Sequence, residues 1–252
     1  MIKTTAIILI VHEHFSMSSE NMKHLVKKMK SKIYRKNFFE KAAWDNNKTI
    51  CGIDEVGRGC IAGPLITASA ILSPRASHPL LKDSKSLSGK ELLLAYRWII
   101  KNAKFSIGIV SNNEIDKYNI WHATLIAMRR AFLQLVTTEY IIPSAILVDA
   151  MPLNLSDTAY KKIPVHHFAK GESFSTSIAA ASIVAKVTRD RIMGKLDALF
   201  PGYHLKDHKG YGTKIHKNAL DTHKKTIIHR TSFLNKTFDE RKNEYKEQLT
   251  LF

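Results

Sequence analysis

Three carboxylates far apart in the chain invite a common reading. Asp54 and Glu55 close an apolar run at residues 49–53, and Asp149 closes another at 145–148. Strand ends are a natural meeting point for such groups, and are where α/β proteins tend to bind ligands. Successive strand residues face opposite ways, so Asp54 and Glu55 address one centre only if the strand ends or bulges there. The glycines after Val56 make that distortion cheap. Clustered carboxylates repel and lose solvation, so a site built from them calls for a divalent cation. Hard oxygen donors favour Mg2+ or Mn2+ over Zn2+. Taken alone, Asp149 would serve equally well to cap the next turn.

Groups suited to phosphate surround these acids in the sequence. Gly57-Arg58-Gly59 is a glycine-framed turn whose backbone can approach a ligand closely while Arg58 reaches phosphate. Lys82, Ser84 and Lys85 lie in a polar loop that either holds a phosphate or is simply solvated. Glu172, Ser173, Ser175, Thr176 and Ser177 open a long helix with a small-residue face of Ala180, Ala181 and Ala185. Its first turn offers free N–H groups and the Glu172 carboxylate. Asp190, between Arg189 and Arg191 about four turns further along, reads as a salt-bridged structural residue. Between His204 and Arg230 stand seven Lys or Arg, two Asp and five His, with Tyr203 and Tyr211 interleaved. Charge for a backbone and rings for a sugar or base are what a nucleic-acid strand needs. His204 and His208, four apart, also admit a zinc reading, although no cysteine lies close enough to complete a conventional set.

A sheet must position these groups. Strands are expected over 49–53, 65–72, 106–110, 145–150 and 165–168. Helices are expected from Ser88, with Glu91 as its capping-box partner, over 115–140 with Ile120, Leu125, Met128, Phe132 and Leu135 on its apolar side, from the 172–177 stretch to Pro201-Gly202, over 213–224, and from Ser232. This is a mixed α/β plan with helices packed on a central sheet. Ahead of it, residues 19–44 carry a basic amphipathic helical pattern.

The 252 residues carry 39 Lys or Arg against 22 Asp or Glu, a surplus of +17, with 44% hydrophobic content. That is enough apolar material for a core and argues against disorder. The surplus points to a polyanionic partner, with mere solubility as the plainer account. It is spread over the chain, +6 in residues 1–49, +6 in 50–200 and +5 in 201–252. Two cysteines, Cys51 and Cys60, are too few for a disulfide scaffold and suggest a reducing compartment. The apolar run 6–11 is far short of a membrane span, so a cytoplasmic protein with no membrane partner is expected.

Six blocks resemble bacterial ribonuclease HII: GIDEVGRGCIAGPL (52–65), DSKSLS (83–88), ILVDA (146–150), KGESFSTSIAAASIVAKVTRDR (170–191), FPGYHLKDHKGYGTKIH (200–216) and HRTSF (229–233). The resemblance implies an RNase H-like fold, a central mixed β-sheet flanked by helices with a C-terminal helical region. It divides the chain into a basic extension (1–49), a catalytic domain (50–235) and a charged C-terminal helix (236–252). It also implies an endonuclease acting on the RNA strand of RNA–DNA hybrids and on the 5′ side of single ribonucleotides in duplex DNA, leaving 3′-hydroxyl and 5′-phosphate ends; a monomer is expected. The family's four carboxylates, which hold two Mg2+ or Mn2+ ions, fall on Asp54, Glu55, Asp149 and Glu172. Two positions depart from the pattern: Ala150 stands where Gly is usual, and Glu172 where Asp is usual, a longer but still hard ligand. The family's ribose-reading turn falls on Gly57, Arg58 and Gly59, and its sugar-stacking tyrosine on Tyr211. The alternatives are a non-catalytic hybrid- or duplex-binding protein, and another metal nuclease of the RNase H-like superfamily.

Overall fold

The computed structural model describes residues 37–234. Of the basic helix expected over 19–44, α1 (Phe38–Trp44) is described, while residues 19–36 and the helix expected at 236–252 lie outside the described residues. The chain divides into two compact units. One takes the described residues to Val56, Ile66–Ile109 and Leu125–Thr188; the other takes Gly57–Leu65, Val110–Thr124 and the residues from Arg189 on.

A five-stranded sheet runs in the order β3 (Ala103–Val110), β2 (Leu65–Leu72), β1 (Ile50–Val56), β4 (Ala145–Asp149) and β5 (Val165–Phe168). β1 pairs antiparallel with β2 and parallel with β4, and β4 pairs parallel with β5. Between β2 and β3 lies α2 (Gly89–Asn102), whose Ser88 and Glu91 form the expected capping box. α3 (Asn112–Glu139) follows β3, and α4 (Thr176–Leu199) follows β5. α3 begins earlier than expected and breaks at Asn119, where φ is 61°.

Each face of the sheet has its own helix. Cys51 and Ile53 of β1, with Ile146 and Val148 of β4, join Met128, Phe132, Leu135 and Val136 of α3 in one buried cluster. The alternate residues face α4: Ile50 and Leu147 pack with Ile178. Gly52 shares this face, and a Cβ there would collide with the backbone of Ser177 and Ile178, so only glycine lets α4 lie this close to β1. Among the described residues no helix is long and apolar enough to cross a membrane.

Ala150, just after β4, holds a left-handed φ of 56°. A Cβ strains that conformation, while glycine adopts it freely at some entropic cost in the unfolded chain. Ala150→Gly should therefore stabilise the protein by about 0.5–1 kcal/mol, read as a rise in Tm of roughly 2 °C.

Candidate active site

Strand alternation decides where the acids go. β1 neither ends nor bulges at the Asp-Glu pair, since Asp54, Glu55 and Val56 stay in register with Ala68, Thr67 and Ile66 of β2. The condition set from the sequence is therefore not met, and the two side chains leave on opposite faces. Asp54 takes the α4 face with Gly52. Asp149 takes the same face with Leu147, because Gly52 is paired with Leu147 and Ile53 with Val148. Asp54 and Asp149 thus end adjacent parallel strands on one side of the sheet, and Glu55 emerges from the other side of β1.

Asp54 is 7% exposed. Burial, then repulsion by Glu55 and Asp149, pushes its carboxyl well above the usual range, opposed by hydrogen bonds from the Ser182 hydroxyl and the Glu55 N–H. The latter donates to Oδ1 at 2.7 Å. Ser182 is also 2.9 Å from the Ser84 hydroxyl. Ser84, expected in an open phosphate loop, is instead buried, with its hydroxyl spent beside Asp54's partner. Asp149 Oδ1 accepts from the Gly171 N–H at 2.8 Å. Glu172 sits in the 3-10 turn Gly171–Ser173 that precedes α4. Its carboxyl is raised, first by burial and then by repulsion from Asp149 and Asp83, and is eased down by Lys85. Exposed Lys85 thus lies in the field of this acid, whereas half-buried Lys82 acts on Glu91.

Among the described residues no three His, Cys, Asp or Glu side chains form a ready-made ion cage. The donor set nonetheless suits a hard divalent cation. Every contributor is a carboxylate, and the repulsion that raises Asp54 and Glu172 is what such a cation relieves.

The second unit carries the expected ribose- and base-facing groups. Gly57 has φ 95°, and a Cβ on it would strike the Arg189 guanidinium. Arg58 is half-buried and Gly59 exposed. Tyr211 is 42% exposed, and Cys60 forms an antiparallel bridge with it. Arg189, the neighbour of Asp190, and Arg230, counted in the basic 204–230 segment, are fully buried here. Arg189 donates to the carbonyls of Pro64, Ala62 and Lys209, and Arg230 to those of Gly63 and Arg58. Burial pushes Arg230 down to about 10. The available signal for Arg189 was its position four residues from both Ala185 and Met193 on the buried stripe of α4. Tyr203, grouped with Tyr211 in the sequence, is buried, and its hydroxyl donates to the Lys224 carbonyl at 2.5 Å.

Among the described residues the histidines form no zinc site. His204 is exposed beside Asp207 at 3.9 Å. His208, His216 and His229 instead spend their ring nitrogens on one another and on the backbone. His216 Nδ1 faces the Tyr211 carbonyl at 2.9 Å, and its Nε2 lies 3.1 Å from Nε2 of His229. His229 Nδ1 accepts from the Thr226 N–H, and His208 Nδ1 from the Gly210 N–H, while His208 Nε2 faces the Tyr203 carbonyl. These partners define neutral tautomers: His216 protonated on Nδ1, His208 and His229 on Nε2.

Comparison with known proteins gives this architecture its class. Residues 51–236 match the Ribonuclease HII family. Ribonuclease HII of Lacticaseibacillus paracasei is 43% identical over 196 residues, 77% of this chain and 73% of the relative. The fold is similar to that in the PCNA:RNase HII complex from Archaeoglobus fulgidus, with TM-score 0.58 at 23% identity, covering 73% of this chain and 94% of that one. It is also similar to Bst-RNase HIII in complex with Mn2+, with TM-score 0.52 at 21% identity, covering 72% and 73%. The architecture is thus that of an RNase H-like nuclease. The chain belongs to the ribonuclease HII family, type 2 ribonucleases H that act on RNA–DNA hybrids.

Burial pushes His216 and His229 down to about 4 from an ordinary value of 6.5, with the Tyr211 and Thr226 backbone groups opposing the shift. Below pH 6.5 the unfolded chain takes up protons that the folded one refuses. Stability is therefore fully present above that pH and lost as pH falls toward 4, by up to about 1.4 kcal/mol per unit for each ring. Denaturant titrations at pH 7 and 4.5 should show that loss, and imidazole NMR should find both rings neutral at pH 5.5.

Proposed function

We propose that this protein cuts the RNA strand of RNA–DNA hybrids and the 5′ side of single ribonucleotides embedded in duplex DNA, leaving 3′-hydroxyl and 5′-phosphate ends. The observation that carries the reading is the common face of Asp54 and Asp149 at adjacent strand ends, with Glu172 in the field of Asp149. Asp54, Asp149 and Glu172 would hold Mg2+ or Mn2+, and Glu55, on the opposite face of β1, would act on the site through its repulsion of Asp54. Two such ions, if held there, would supply a lowered pKa for an attacking water and stabilisation of the leaving 3′ oxygen. The chain's own part is orientation: Ser182 and the Glu55 N–H fix Asp54, and the Gly171 N–H fixes Asp149. No side chain serves as nucleophile.

Selectivity for a ribonucleotide is the task of Gly57, Arg58, Gly59 and Tyr211. A 2′-hydroxyl both donates and accepts, so a closely approaching backbone can recognise it. Arg189 and Arg230 support this role by holding the carbonyls of residues 58–64 in place. The exposed ring of Tyr211 offers a stacking surface for the next sugar.

The deciding experiment incubates the protein with a duplex carrying one ribonucleotide, in Mg2+, Mn2+ or EDTA, and maps the cut. Cleavage 5′ of the ribonucleotide, abolished by EDTA, is expected, and Asp54→Asn and Asp149→Asn should each slow it about a thousandfold, roughly 4 kcal/mol of barrier. Binding without cleavage in either metal would instead favour a non-catalytic duplex-binding protein, and cleavage indifferent to the ribonucleotide another metal nuclease. Affinity for the duplex should fall steeply with added salt.

A protein partner is also proposed. The Archaeoglobus fulgidus relative is in complex with PCNA. In this chain residues 236–247 hold eight charged side chains in twelve, and Gln248-Leu249-Thr250-Leu251-Phe252 follows with three apolar anchors. Short segments of this composition dock in apolar grooves. Deleting residues 248–252 should abolish binding to a PCNA-type partner in surface plasmon resonance while leaving hybrid cleavage unchanged. Undiminished binding by the shortened chain would reject the docking role.

A further inference from the structure

We infer that Glu40, from the extension ahead of the family-matched segment, is a positioning residue for the turn that carries Glu172 and holds Asp149. The inference rests on the reading of these two acids as metal ligands. Glu40 is 1% exposed although it is a carboxylate. Its Oε1 accepts from the Ser175 hydroxyl at 2.5 Å and from the Ser177 N–H at 2.9 Å. Ser175 in turn accepts from the Ile178 N–H at 3.1 Å. A capping box normally draws its carboxylate from the third residue of the same helix. In α4 that carboxylate comes from α1, 135 residues earlier in the chain.

The consequence reaches the acids through one short stretch of backbone. The Ser175 N–H donates to the Gly171 carbonyl at 2.9 Å, and the Gly171 N–H donates to Asp149. Glu172 sits between these anchor points. α1 also grips the stretch from its other side. Phe39 stacks on Phe168 of β5 at 5.7 Å, Phe168 meets Phe174 edge-on at 6.0 Å, and Phe168 is in register with Asp149. Residues 168–178 are thereby clamped by an apolar contact before the Glu172 turn and a buried carboxylate after it. Without Glu40 the Ser177 N–H and the Ser175 hydroxyl both lose their acceptor, so the turn loses its fixed end.

The test compares full-length Glu40→Ala, Glu40→Asp and Glu40→Gln with Val136→Ala, a core truncation in the α3 cluster that lowers stability without touching the turn. Four quantities are measured: Tm, Mn2+ affinity by calorimetry without nucleic acid, the Mg2+ concentration for half-maximal cleavage, and KM for the duplex. Glu40→Ala should weaken Mn2+ binding about tenfold or more and raise the Mg2+ requirement to match, with KM changed less than about twofold. Glu40→Asp, one methylene short of Ser177, should show a smaller loss in the same direction, and Glu40→Gln, which keeps an accepting oxygen, should recover most of the affinity. Mn2+ affinity that falls no further in Glu40→Ala than in Val136→Ala at equal loss of Tm would overturn the inference. So would unchanged affinity in Glu40→Asp, the variant that decides if Glu40→Ala does not fold. The calorimetric arm stands even if no ribonucleotide duplex is cut, so failure of the proposed activity and failure of this inference are separable.

Discussion

Like charges held on one face of a sheet are the constraint around which the first unit is built. Asp54 and Asp149 end adjacent parallel strands and point the same way, and their repulsion rises with burial. Such a pair is costly in an apolar interior of low dielectric and tolerable only where donors and a cation can offset it. The donors are supplied by close packing. Gly52 lets α4 approach β1, which brings the Ser182 hydroxyl to Asp54, and the tight turn before α4 brings the Gly171 N–H to Asp149.

The second unit meets a related problem with the opposite sign. Arg189 and Arg230 are fully buried cations whose hydrogen bonds go to backbone carbonyls of residues 58–64 and 209. Each carbonyl so held leaves its peptide plane fixed, and within the Gly57–Gly59 turn it is the Arg58 carbonyl that Arg230 holds. The neutral histidine network does the same for Tyr211 by fixing its carbonyl. Rigid backbone is what the proposed reading of a 2′-hydroxyl would require, since a misplacement of about 1 Å is enough to lose it.

Much of this was legible in the chain. The apolar runs 49–53 and 145–148 marked β1 and β4, the Ser88–Glu91 spacing marked the start of α2, and the blocks around the acids marked the family. What misled was local inference about exposure. Ser84, Tyr203 and Arg230 all stood among groups suited to phosphate or nucleic acid, yet each is buried against a partner elsewhere in the sequence. The Asp-Glu pair was expected to need a bulge, whereas the strand continues and the pair divides between two faces.

The sequence by itself determined the composition of the site: hard carboxylates, glycine-framed turns and a basic chain suited to a polyanion. Residue type and spacing suffice for that, because donor hardness, charge and glycine's freedom are properties of the residues alone. Only the tertiary structure decided which carboxylates share a face, which donors orient them, and that Glu40 caps a helix from outside its own segment. Those facts depend on parallel pairing between residues 95 apart and on a helix laid over Gly52 from further still along the chain, and no local pattern encodes the partner of a buried polar group.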